Sequence, residues 1–235
     1  MMRIAMWSGP RNLSTALMYA FASRGDCAVR DEPFYAAYLA ATGVDHPMRD
    51  DILAAGQTDP GEVARACIAP APDGVPHVYL KLMAHHMISG FPRGWAERCA
   101  NVHLIRHPAR VIASYGAKRA EMSLEDLGFP QQLDLYESLG GAVIDSADIR
   151  ADPARALATL CGELGLPYRP EMLHWPKGGH PDDGVWAPHW YGAVHRSTGF
   201  AGPEGPLPVL DGEAARLCDA AMPVYEALKA AALRP

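Results

Sequence analysis

The sequence predicts an α/β fold: a three-layer domain with a central parallel sheet, helices on both faces, and a loop-rich C-terminal segment. Three observations predict it. Short apolar runs alternate with helical stretches over most of the chain, which is the pattern of a parallel sheet with crossover helices. The first strand passes through a short polar loop directly into a helix, and a second strand later does the same. Finally, 235 residues, 49% apolar and 20% charged, suit one globular domain.

In chain order, Arg3 to Trp7 reads as a strand, Ser8 to Leu13 as a loop and Ser14 to Phe21 as the opening of a helix. Further strands are expected at Cys27 to Arg30, His77 to Leu82, Asn101 to Ile105 and Ala142 to Ile144. Helices are expected at Pro33 to Ala41, Gly61 to Ile68, Pro108 to Ala120 and Pro153 to Leu164. From Trp175 to Pro208 the chain holds six prolines, seven glycines and three tryptophans, which leaves little room for regular structure and reads as a lid or substrate loop. A last helix, Glu213 to Leu233, should be kinked or split by Pro223. No repeat or linker divides residues 1 to 235, so one domain is expected.

The net charge of −6 argues against a nucleic-acid binder working by bulk charge. Its distribution is uneven. Residues 1 to 25 and 98 to 120 carry no acid and eight bases between them, so the rest of the chain carries −14. Seventeen of the 21 bases are arginines, the side chain suited to bidentate oxyanion contacts; high genomic G+C would give the same bias. The five cysteines lie 32 to 62 residues apart, without the close pairing of a zinc site or disulfide framework, and read as reduced thiols. No metal is expected. The N-terminal apolar run breaks at Ser8 and no later run approaches a membrane span, so a soluble, cytoplasmic protein without membrane partners is expected.

A loop leading from a strand into a helix N-terminus is where anions bind, because unpaired N–H groups and the helix dipole converge there. Gly9-Pro10-Arg11-Asn12-Leu13-Ser14-Thr15 has that form. It lacks the second glycine and the lysine of G-x-x-x-x-G-K-[ST], which counts against an ATPase or GTPase. Arg11 supplies the positive charge instead, and Ser14 and Thr15 supply hydroxyls; alternatively Ser14 only caps the helix. The second segment, Asn101 to Tyr115, is a strand ending in Arg106, where open α/β sheets bind ligands, followed by Pro108 at a helix start. Ser114, about two turns on, can face the same side, with Arg110 on its face as an i, i+4 neighbour. Arg110 itself reads rather as a solvated surface charge.

Ser8-Gly9-Pro10-Arg11-Asn12-Leu13-Ser14-Thr15 resembles the 5′-phosphosulfate loop of sulfotransferases that use 3′-phosphoadenosine 5′-phosphosulfate (PAPS), and Arg106-His107-Pro108 followed by Ser114 resembles their 3′-phosphate motif. The stretch from Ala142 to Leu166 is similar to the strand and helix that follow. The resemblance implies a P-loop-like fold and sulfuryl transfer from PAPS to a hydroxyl or amine of a small molecule, with PAP as product and no metal. It implies that Arg11, Asn12, Ser14 and Thr15 hold the 5′-phosphosulfate, that Arg106 and Ser114 hold the 3′-phosphate, and that a late basic residue, Arg196, joins them. The chain departs from the family at Asn12-Leu13, where bacterial relatives often carry Ser-Gly.

For the acceptor's base, Glu32 in Asp31-Glu32-Pro33 resembles the Glu-Pro segment of bacterial members; an exposed turn acid is the alternative. His85 is the second candidate, four residues past Lys81 where cytosolic members have Lys-x-His, so that the role does not transfer directly. Lys81, an unusual residue for a strand interior, suits the bridging oxygen or the acceptor pocket. Phe34, Tyr35, Tyr38 and the tryptophans suggest an apolar or aromatic acceptor, although any one tryptophan can simply fill a small core. The rivals are a kinase-like P-loop phosphotransferase and a non-catalytic nucleotide-binding protein.

Overall fold

The computed structural model describes residues 1–71, 74–117 and 122–235. Its centre is a five-stranded sheet, all parallel, in the order β2-β3-β1-β4-β5. The chain runs β1 (Met2–Ser8), α1 (Ser14–Ala22), β2 (Cys27–Asp31), α2 (Tyr35–Thr42), α3 (Arg49–Ala55), α4 (Pro60–Cys67), β3 (His77–Met83), β4 (Ala100–Ile105) and α5 (Pro108–Gly116). It continues through α6 (Phe129–Leu139), β5 (Ala142–Asp145), α7 (Ser146–Ala151), α8 (Pro153–Glu163), α9 (Ala187–Trp190), α10 (Gly192–His195) and α11 (Gly212–Ala230). All five expected strands form, each within about one residue of the range read from its apolar run.

Both sheet faces are covered, which is why the strands read as nearly unbroken apolar runs. Successive residues of β1 serve opposite layers. Ile4 and Met6 pack with α1 and α8 in one core; Ala5 and Trp7 pack with α4, Trp95 and Leu135 of α6 in the other. Helix α11 lies against α5, α6 and β5. It runs as one helix through Pro223, so the chain is not split there. A proline removes a single intrahelical bond, and the burial of Ala221 and Leu228 on the body of the domain holds the helix across it.

Asp59, His107, Asp145 and Asp152 each accept a hydrogen bond from the first turn of the helix that follows. Helix α1, like α2, α3, α6, α9, α10 and α11, has no side-chain cap; its N-cap residue is Leu13, with Ser14 one place inside, so the capping alternative for Ser14 does not hold. Because β1 connects outward to β2 while β4 connects toward β5, the chain parts between these two neighbours, and both of their carboxyl ends open into one crevice. The segment from Trp175 to Pro208 is less irregular than expected, since α9 and α10 form two single turns within it. The five cysteines are free.

Candidate active site

The loop after β1 is wound by close approach and left-handed backbone. A Cβ on Gly9 would lie 2.5 Å from the Leu127 carbonyl, so only glycine fits beside that strand of backbone. Arg11 and Leu13 both take positive φ, 63° and 74°. Leu13 thus adopts the conformation that glycine favours, at a cost of roughly 1–2 kcal/mol, and turns the uncapped start of α1 toward the crevice. Asn12 is buried and its amide donates to the Leu104 carbonyl at 3.1 Å, tying the loop to β4. Gln132 of α6 donates to the same carbonyl at 2.9 Å.

Two bonds join this loop to the segment after β4. Arg11 Nε donates to Ser114 Oγ at 2.9 Å, and Arg106 donates to the Arg11 carbonyl at 2.6 Å. Burial, and then the neighbouring Arg106, hold the Arg11 guanidinium below its ordinary pKa, so an anion here meets a cation that water screens poorly. Arg106, Arg110 and Arg150 converge on the carboxylate of Glu204; Arg110 approaches to 2.8 Å and Arg150 to 3.8 Å. Arg110 is therefore not the solvated surface charge expected, because its side chain is 17% exposed and ion-paired.

At the ends of β2 and β3 lies a second ionic cluster. Lys81 is 1% exposed. Its ammonium donates to Asp31 at 2.9 Å, to Glu32 and to the Tyr191 hydroxyl. Trp186 Nε1 also donates to that hydroxyl, at 2.8 Å, and the hydroxyl faces Asp31 and Glu32 Oε1. The bonds of Glu32 to Lys81 and Tyr191 both use Oε1. Glu32 is buried rather than an exposed turn acid, and takes a φ of 40°. Burial pushes its carboxyl upward, opposed chiefly by Lys81.

Beyond this cluster the wall is neutral. His85 and His86 form a single 3-10 turn after β3; His86 stacks on Tyr35 and Tyr38, and His46 meets the Tyr35 hydroxyl at 3.0 Å. Burial lowers the pKa of His85 to about 3 and that of His86 well below the usual value, so both rings are uncharged near neutrality. His85 Nδ1 is buried and has no hydrogen-bond partner among the described residues.

These parts enclose one cavity of about 380 Å³. Its wall includes nine of the ten residues singled out from sequence: Arg11, Asn12, Ser14, Thr15, Arg106 and Ser114 at the basic end, and Glu32, Lys81 and His85 at the other. The tenth, Arg196, is exposed and outside it, and the additional guanidinium comes from Arg150 of α7. Of the tryptophans, Trp190 lines the cavity beside Tyr115, Trp186 belongs to a small core with Tyr35, and Trp175 lines the cavity from the main core. Sequence reading missed Tyr191, Arg150 and Glu204.

The sulfotransferase domain family matches residues 2–232. The chain belongs to that family. Branched-chain-amino-acid aminotransferase-like proteins 2 and 1 of Arabidopsis thaliana are 37% and 36% identical to it, over 86% and 96% of this chain. The aligned part is 36% and 41% of those proteins, so this sulfotransferase domain spans well under half the length of either. Among solved structures, the sulfotransferase domain of the Synechococcus PCC 7002 olefin synthase is 15% identical with a TM-score of 0.49, covering 92% of this chain and 93% of that one. The sulfotransferase domain of the curacin biosynthetic pathway is 16% identical with a TM-score of 0.46, covering 92% and 96%. Among the described residues no helix is long and apolar enough to cross a membrane, and no group of three or more acids, histidines or cysteines is placed to hold a metal ion.

Proposed function

We propose that this sulfotransferase domain takes PAPS as donor and transfers its sulfuryl group to a hydroxyl of a small, uncharged aromatic or apolar acceptor. The observation that carries the reading is the bonded union of two anion-binding ends: an uncapped helix N-terminus with Arg11, joined through Ser114 and the Arg11 carbonyl to the arginines after β4. These residues fit a donor with phosphate groups at two positions. Glu204, a carboxylate already held by Arg106, Arg110 and Arg150, is direct support for an anion site at the second position.

When bound, PAPS supplies the sulfuryl group and a phosphate leaving group; the chain's residues supply the rest. Arg11 and the N–H groups at the start of α1 hold the 5′ end and the negative charge that develops there as the bond to sulfur breaks. Glu32, on the cavity wall, takes the acceptor's hydroxyl proton, while Lys81 and Tyr191 hold its Oε1 and so fix the carboxylate. Lys81 Nζ donates to Asp31, Glu32 and Tyr191, so its part is to position Glu32. His85 offers Nδ1 to the acceptor, and the neutral rings of His86, Tyr35 and Trp190 favour a molecule without charge.

Titration calorimetry with PAP, PAPS, ATP and GTP tests the donor, and mass detection of a sulfated phenol tests transfer. PAP is expected to bind and ATP not to compete with it. PAP binding no better than AMP overturns the reading, whereas Mg²⁺-dependent transfer from ATP replaces it with a phosphotransferase.

A further inference from the structure

Glu204 stands out from the segment that carries it. Of residues 201 to 207 it alone is not exposed, and its side chain is 7% exposed. Around it run Gly202, Pro203, Gly205 and Pro206, with Leu207 and Val209 turned to solvent. This strap has little apolar anchorage. It is held by the same arginines that hold the carboxylate: Arg150 donates to the carbonyls of Ala201 and Gly202 at 2.8 and 2.6 Å, and Arg110 donates to that of Gly205. Arg106 and Arg150, two of the three, also line the cavity.

Three guanidinium groups around one carboxylate leave an excess of two positive charges. A phosphate monoester carries close to two negative charges and three acceptor oxygens, and matches the three forks better than a carboxylate with two oxygens. A ribose hydroxyl has no charge to offer in exchange. Resting on the donor reading above, we infer that Glu204 is an internal counter-anion of the 3′-phosphate subsite: the donor's 3′-phosphate displaces it from Arg106, Arg110 and Arg150, and it returns to them as product leaves. The exchange keeps the arginines paired in both states. It lowers affinity for PAP and opens a route for product release, because the returning carboxylate competes for the same donors. Since the arginines are also the fixings of the strap, displacement frees residues 201 to 207 from the body of the domain.

The opposite role would be a strut, with Glu204 spreading the arginines into their binding geometry, and the two roles predict opposite signs. In calorimetry on Glu204→Gln, PAP is expected to bind at least about tenfold tighter than to wild type, with slower dissociation, while AMP, which has no 3′-phosphate, changes by less than about twofold. In the wild-type protein, amide exchange across residues 201 to 207 is expected to rise when PAP is added. PAP affinity unchanged or weakened by the substitution, or strap exchange unaltered by PAP, overturns the inference. If PAP binds neither protein the donor reading falls with it; if PAP binds both equally, this inference alone falls.

Discussion

Arg11 Nε donates to Ser114 Oγ at 2.9 Å across 103 positions of sequence, and with the bond from Arg106 to the Arg11 carbonyl it joins two basic segments. Neither loop follows the nucleotide-hydrolase pattern, and neither has a lysine to reach both ends of a ligand. Arg11 does so instead, with its side chain on Ser114 and its carbonyl under Arg106. Removing a charged partner from such a site costs about 2–5 kcal/mol of binding, whereas removing one neutral hydroxyl costs about 1 kcal/mol. Arg106→Ala is therefore expected to weaken PAP by the larger amount and Ser114→Ala by the smaller, both read by calorimetry. Equal effects would mean that the arginine is not in contact with the ligand.

Tyr191 couples the segment after Trp175 to Glu32, the proposed base. Its hydroxyl faces Glu32 Oε1 at 3.2 Å, and that hydrogen bond pulls the Glu32 carboxyl down against the rise imposed by burial. Tyr191→Phe removes the pull, so the carboxyl's pKa rises and more of it is protonated at a given pH. A base is active only when deprotonated, so the acid limb of the kcat/KM profile is expected to move to higher pH. Glu32→Gln is expected to abolish that limb and cut kcat by about 100-fold or more while PAP affinity stays within about threefold. An acid limb that stays in place in Tyr191→Phe would separate Tyr191 from the base.

The five strands and the two loops that lead from β1 and β4 into helices could be read from sequence because each is a local pattern: an apolar run, then a polar turn, then a helical period. What could not be read was assembled at a distance. Arg150 lies in a short helix that matches no motif and reaches the site only because α7 follows β5, the neighbour of β4. Glu204 sits among glycines and prolines, where no periodicity exists to mark a buried position. Arg196 is basic and late in the chain, a property of sequence that says nothing about direction, and it faces solvent. Helices α3, α6 and α7 lie outside the helical stretches read from sequence, and α6 supplies Gln132, which donates to the same Leu104 carbonyl that holds the loop after β1.

Leu13 offers a test of how the loop tolerates its departure from glycine. The residue is strained by its φ of 74° yet partly buried against the main core. Leu13→Gly relieves roughly 1–2 kcal/mol of strain and forfeits a similar amount of apolar contact. The melting temperature is expected to change by less than about 4 °C, with PAP affinity preserved. Leu13→Val keeps apolar surface but places a β-branched side chain at positive φ, where it is least tolerated, and is expected to lower the melting temperature further. The order of the two variants is the measurement; valine more stable than glycine would show that packing outweighs strain at this loop.

His103 provides a stability test away from the cavity. It lies in β4, fully buried, with Nε2 3.0 Å from the Gly140 carbonyl and its ring edge-on to Tyr136. Burial lowers its pKa to about 4, partly offset by the bond to Gly140, whereas in the unfolded chain it titrates at about 6.5. A depressed pKa means that the unfolded state takes the proton first as pH falls. The contribution is therefore complete above about pH 6.5 and is lost progressively down to about pH 4, at up to about 1.4 kcal/mol per pH unit. His103→Gln has no such proton to bind. The variant is expected to be less stable than wild type at pH 7, having lost ring packing, but the gap should narrow by about 1 kcal/mol or more for each unit between pH 6 and pH 5 in denaturant titrations. His85 and His86 titrate unchanged in both proteins and cancel from the difference, so a constant gap would place the proton-linked loss of stability elsewhere than at His103.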